Sequence, residues 1–213
     1  MALPPHPPMS EAAPMPDNIA PLPAVPADLL ARSSVPARLL RAPAPDRSAL
    51  DLAVSAALRA PDHGGLRPWR FVFIQGEDRG ALGDLLAASM RARAPDTPAE
   101  RLEVERAKPL RAPLVVAAGA AINHERPGVP PWEQEASAAA GIMNFLNMLD
   151  AQGFGACWLS SPSLKDPAVK AALGFAEGDS LLGWIYAGTP GEDRPRPSRP
   201  GPDAFRRDWA PGR

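Results

Sequence analysis

The stretch "RAPDHGGLRPWRFVFI", residues 59–74, decides how the chain is read. Pro61 pushes the residue before it out of the α region, so a helix must stop here. Gly64-Gly65 supplies a turn, and the run from Trp69 to Gln75 is aromatic and β-branched enough for a strand. Between helix and strand the loop carries Arg59, Asp62, His63, Arg67, Trp69 and Arg70. So charged a loop is either a turn with a solvated rim or the wall of a site for an anionic, aromatic ligand.

Upstream, Asp46 is placed to cap a helix in which Leu50, Ala53, Val54, Ala57 and Leu58 recur at helical spacing, giving one apolar face. Arg59 and His63 then flank its C-terminus, where the helix dipole favours cations in any case. Dipole compensation accounts for both residues on spacing alone. Further upstream, "PADLLAR" is a short helix running into Ser33-Ser34-Val35-Pro36. Arg32 with Ser33 and Ser34 offers a guanidinium, hydroxyls and free N–H groups, a reasonable phosphate cradle. A helix stop beside a surface arginine explains the same residues.

Downstream, two helices are expected over about 78–94 and 97–108, divided by Pro95 and Pro98. "PLVVAAGA" (113–120) is apolar without alternation, as in a strand covered on both faces. Residues 133–152 form the longest expected helix, with Glu133, Glu135 and Asp150 only at its ends. Its run Ala136–Gly141 admits a second helix backbone at close range, from the same chain or from another copy. "GACWLS" (155–160) and "LLGWIYAG" (181–188) complete four strands among helices, an α+β domain with a central sheet.

The chain has 213 residues, formal net charge −1 and 29 prolines. Nothing in that charge favours nucleic acid or an anionic membrane. Twelve of the prolines precede residue 46 and six follow residue 189, so the proline excess belongs to the ends. Residues 1–25 read as a disordered or loosely docked extension, and residues 26–213 as one domain ending in an extended arm from about 189. Cys157 is the lone cysteine, which fits a reducing, cytoplasmic setting. His63, His124 and Cys157 lack metal-ligand spacing, so no metal site is expected. Acyl transfer by Asp62-His63 and a serine lacks a nucleophile elbow, and Gly153-Phe154-Gly155 follows a helix instead of a strand, the wrong setting for a dinucleotide loop.

Four segments in order, "RAPDHGGLRPWRF", "RAPLVVAAGA", "PPWEQEASAAAGIMNFLNMLDAQGFGACWLSS" and "LLGWIYAGTP", resemble the small FMN-dependent nitroreductases, most of all their minimal, YdjA-like branch. The resemblance runs from about Leu29 to Trp209. It implies a nitroreductase-like α+β fold with a mixed or antiparallel sheet, an intertwined homodimer, and FMN at the subunit interface. It further implies electron transfer from NAD(P)H to nitroaromatic, quinone or similar acceptors in alternating half-reactions. An Arg-x-Ser element that holds the FMN phosphate in the family carries over to Arg32 and Ser34, with Ser33 where the family often has Arg or His. Arg59 and His63 match residues that contact FMN, often from the partner subunit. Trp158, Leu159 and Ser160 match the strand lining the flavin, with Leu159 at a position that is often Arg. Trp69 and Trp158 are then expected to pack the ring. Since the chemistry lies on the cofactor, no protein acid–base residue is required. The alternatives are a flavin carrier or regulator with little turnover, and a different reaction on the same fold, such as dehalogenation or flavin cleavage.

Overall fold

The computed structural model describes residues 29–191 and 198–210. The expected N-terminal extension, residues 1–25, lies outside the described residues. The chain divides into two compact units, residues 34–193 and a smaller one combining 1–33 with 194–213. Within the smaller unit, Pro202–Ala204 forms a 3-10 turn, and Arg206 Nη2 donates to both carboxylate oxygens of Asp208 at 3.0 and 3.3 Å.

The larger unit is built on five strands: β1 (Leu40–Arg41), β2 (Trp69–Gln75), β3 (Leu114–Ala120), β4 (Gly155–Leu159) and β5 (Ser180–Pro190). Their order is β1-β5-β3-β2, with β4 also paired to β5, and every pairing is antiparallel. Five α-helices accompany them: α1 (Arg47–Ala57), α2 (Asp78–Arg93), α3 (Ala99–Arg106), α4 (Pro131–Ala151) and α5 (Pro167–Ala172). Helices α1 and α4 pack through Leu50, Ala53, Ile142 and Phe145 on Leu114, Val116 and Ala118 of β3. The opposite parity, Val115 and Ala117, faces Leu82 and Leu86 of α2 and Val169 of α5. Burial of β3 on both faces is why its sequence shows no alternation.

Asp46 caps α1 as expected, its carboxylate accepting from Ala49 N at 2.8 Å. Leu58, by contrast, lies past the end of α1 and is 51% exposed, so it does not extend the buried face. The small-residue run of α4 serves contacts within the chain. A Cβ on Gly141 would stand 2.5 Å from Trp69 Cδ1 and 3.1 Å from the Ala57 carbonyl oxygen, so glycine lets both α1 and the indole close on α4. The Trp69 indole nitrogen donates to the Ser137 carbonyl at 3.0 Å, and Phe71 stacks on Phe145 with ring centres 5.0 Å apart. The expectation that Trp69 packs a ligand ring is therefore corrected: the indole is buried as a wedge between β2 and α4.

Candidate functional site

A backbone contact places the serine segment. Val35 N donates to the Ala156 carbonyl at 2.9 Å, which lays residues 34–38 alongside β4. Gly155 allows this approach, because a Cβ there would come within 2.7 Å of Val35 Cγ2. On its other side β4 is paired to β5. Past Val35, the edge of β4 opens onto a cleft of about 670 Å³. Cys157, Leu159, Pro36 and Ala37 give it an apolar floor, and Ser34, Arg38 and Arg111 supply its polar groups. Leu159 is 47% exposed toward this space.

A smaller recess of about 110 Å³ shares Ala37, Arg111 and Leu159 with the cleft. Its polar lining comes from Glu105, Lys108, Ser160, Ser161 and Tyr186. Lys108 Nζ donates to Glu105 Oε2 at 2.5 Å, which neutralises a carboxylate only 4% exposed. Burial pushes the Tyr186 phenol up to about 12, so it stays a neutral hydroxyl at any physiological pH. The Ser161 hydroxyl is held by Trp184 Nε1 at 3.1 Å and by Ser163 Oγ at 2.6 Å. Among the described residues, neither Arg38 nor Arg111 meets a carboxylate.

Of the residues singled out in the sequence, Ser34, Leu159 and Ser160 thus line two adjoining cavities. Trp158 lies between Cys157 and Leu159 on the strand and points to the opposite face, as the two-residue period requires. There its indole nitrogen donates to the Leu182 carbonyl at 3.2 Å and its ring covers Gly183. Arg32 and Ser33 belong to the smaller unit, where Ser33 is buried.

Arg59 and His63 line neither cavity. His63 Nδ1 stands 2.7 Å from Glu133 Oε2 in the first turn of α4, whereas β4 begins four residues beyond that helix's last residue, Ala151. Helix α4 has 21 residues, hence roughly 30 Å of length at 1.5 Å per residue. Much of the loop's remaining charge shapes the loop itself. The Asp62 carboxylate accepts from Leu66 N at 3.1 Å and Arg67 N at 2.8 Å, and Arg70 Nη1 donates to the carbonyls of Arg67 and Trp69 at 3.0 and 2.8 Å. Arg67 itself has φ of 52°, a left-handed conformation stabilised by the Asp62 contact. Arg59 and His63 keep exposed polar groups.

Arg38 and Arg111 did not stand out in the sequence. The available signal was the position of Arg111 as the one charged residue of "RAPLVVAAGA", directly before a fully buried strand.

Comparison with known proteins agrees with this architecture. The chain is similar to the YdjA protein of Escherichia coli (strain K12), whose name carries a provisional NAD(P)H nitroreductase assignment: 38% identity over 153 residues, 71% of this chain and 81% of that one. A nitroreductase-like family protein from Bacillus cereus shares the fold with a TM-score of 0.74 at 19% identity, over 90% of this chain and 99% of that one. A Bacteroides fragilis NCTC 9343 nitroreductase with bound FMN gives a TM-score of 0.63 at 17% identity, over 90% and 97% of the respective chains. The Nitroreductase family model matches residues 29–189, and the chain belongs to that family.

Proposed function

We propose that the protein is an FMN-dependent NAD(P)H oxidoreductase that acts as a homodimer and reduces nitroaromatic, quinone or similar electron-poor acceptors in alternating half-reactions. The observation that carries this reading is the division of the charged constellation. Ser34 and Leu159 stand in the cleft along β4, while His63 stands at the N-terminal end of α4 and Arg59 two residues past the end of α1, and neither lines any part of it. A two-fold dimer that set the partner's His63 and Arg59 over this cleft would complete the site. The faces of α1 and α4 fit that assembly, since Leu52, Leu58 and Trp132 are 52%, 51% and 64% exposed.

The cleft suits FMN. Its volume falls in the roughly 300–1,000 Å³ range of small-molecule sites. Cys157, Leu159 and Ala37 offer an apolar bed, the edge of β4 offers backbone groups to a heterocycle, and Ser34 with two arginines that meet no carboxylate among the described residues suits a phosphate. When bound, FMN supplies the two-electron chemistry. The chain's part is to orient the ring, keep water from it and stabilise negative charge, tasks for fixed donors and not for a proton-transferring side chain. No helix among the described residues is long and apolar enough to cross a membrane. A cytoplasmic location belongs to the same reading, supported by one buried, unbridged cysteine, Cys157. Light scattering with flavin quantification tests the assembly: two subunits and one FMN per subunit are expected. A monomer that retains one FMN would overturn the shared site.

A further inference from the structure

Two arginines of the β4 cleft, Arg38 and Arg111, are explained by neither the fold nor the loop contacts. Arg38 lies on the 3-10 turn Ala37–Leu39 and Arg111 on the 3-10 turn Lys108–Arg111, 73 residues apart in the chain. Both line the same cleft, over the apolar floor of Cys157 and Leu159. Arg111 also forms the wall shared with the smaller recess. The neighbouring Lys108 makes an instructive contrast, for its ammonium is already paired with Glu105. Among the described residues the cleft and recess hold one carboxylate, Glu105, against three cations, which leaves both guanidiniums uncompensated. Both arginines are exposed, so water screens them from each other, and their two positive charges on one cleft attract an anion.

We propose that Arg38 and Arg111 form an anion clamp that takes the negatively charged group of a planar, apolar ligand lying on Cys157 and Leu159. The clamp rests on the flavin reading given above. Two sources supply that chemistry: the phosphate of FMN, or a carboxylate carried by the electron acceptor. Guanidinium suits both, because its planar fork donates two parallel hydrogen bonds to either oxyanion. Arg111, set between the two cavities, reaches a ligand that spans them. Leu159 adds no charge of its own and leaves the anion to the arginines.

Matched pairs of ligands separate the sources. Arg38→Gln and Arg111→Gln variants are titrated with FMN and with riboflavin, which lacks the phosphate. The same variants, saturated with flavin, are assayed with 4-nitrobenzoate and with neutral 4-nitrobenzyl alcohol. The clamp predicts a loss of about ten- to a hundredfold for the charged member of one pair, with its neutral counterpart changed less than about threefold. A selective loss of FMN affinity assigns the clamp to the cofactor, and a selective rise in KM for 4-nitrobenzoate assigns it to the acceptor. Arg111→Lys, which keeps the charge and the fold but not the fork, recovers part of the loss. Equal losses for charged and neutral members, or no loss in either pair, would overturn the clamp while leaving flavin binding established by the wild-type titration. A wild-type protein that bound neither flavin would overturn the functional reading itself, and the clamp with it.

Discussion

His63 Nδ1 stands 2.7 Å from Oε2 of Glu133, tying the charged loop to the first turn of α4. The imidazole side chain is 64% exposed and the carboxylate side chain 27%. An exposed pair of this kind contributes at most about 1 kcal/mol. Its value lies in direction, since it fixes the ring's Nδ1 and leaves Nε2 outward. Glu133→Ala is expected to change the melting temperature by no more than a few degrees while weakening FMN binding several-fold. Parallel melting curves and FMN titrations check this, and unchanged affinity would show that His63 does not need the carboxylate.

Arg59 lies two residues past the end of α1. If its guanidinium meets FMN bound to a partner, Arg59→Ala costs roughly 1.5–3 kcal/mol of binding, or about ten- to a hundredfold in affinity. If it merely offsets the dipole of α1, the change costs about 0.3–1 kcal/mol of stability and no affinity. Arg59→Lys should restore affinity in part under the first account and stability almost fully under the second. Titration of apoprotein with FMN distinguishes them.

Gly141 is predicted to resist even a methyl group. Its Cβ would meet the Trp69 indole at 2.5 and 2.6 Å, so the ring must shift and its bond to the Ser137 carbonyl must stretch. Overpacking of this kind costs about 1–3 kcal/mol. Urea denaturation of Gly141→Ala should show a lower midpoint with an unchanged slope. A midpoint equal to the wild type would mean that α1, β2 and α4 are less closely packed than described.

Asp166 provides a pH test. The Ser89 hydroxyl, with lesser help from the backbone N–H groups of Ala168 and Val169, holds its carboxyl below the usual aspartate value. A folded-state pKa below the unfolded one means stabilisation that is complete above the unfolded value of about 3.9 and lost as pH falls through the folded value. Ser89→Ala should therefore lower stability by about 1 kcal/mol at neutral pH. The gap between variant and wild type should narrow below about pH 4 in denaturant titrations. A gap that stayed constant into acid would remove the charged hydrogen bond from the account.

Much of the fold was legible because its signals are local. Asp46 bounds α1 at its start through a cap, Pro61 keeps the helical path from continuing past the turn that follows its end at Ala57, and the unbroken apolar run of β3 records two covered faces. Helix α5 was equally readable, with Asp166 as cap and Pro167 at its first position, but six residues give too little periodicity to notice. Strand β1, two residues long, has no sequence signature at all. The site was legible only in part. Ser34 and Leu159 line one cleft, and Leu159 and Ser160 line the recess beside it. Arg38 and Arg111 converge only through tertiary packing, and an arginine in a turn reads as ordinary surface. Trp69 misled for a related reason: an aromatic beside charges suggests a ligand platform, whereas its partner was a glycine 72 residues later.

A flavin held in the cleft along β4 would accept electrons from NAD(P)H. Absorbance spectroscopy of the purified protein, under anaerobic conditions, tests it most directly. The account predicts a yellow protein whose flavin bands bleach on adding NADPH or NADH and return on adding a quinone or nitroaromatic acceptor. A protein that stays colourless after incubation with FMN, or whose flavin bands survive both nucleotides unchanged, would contradict it.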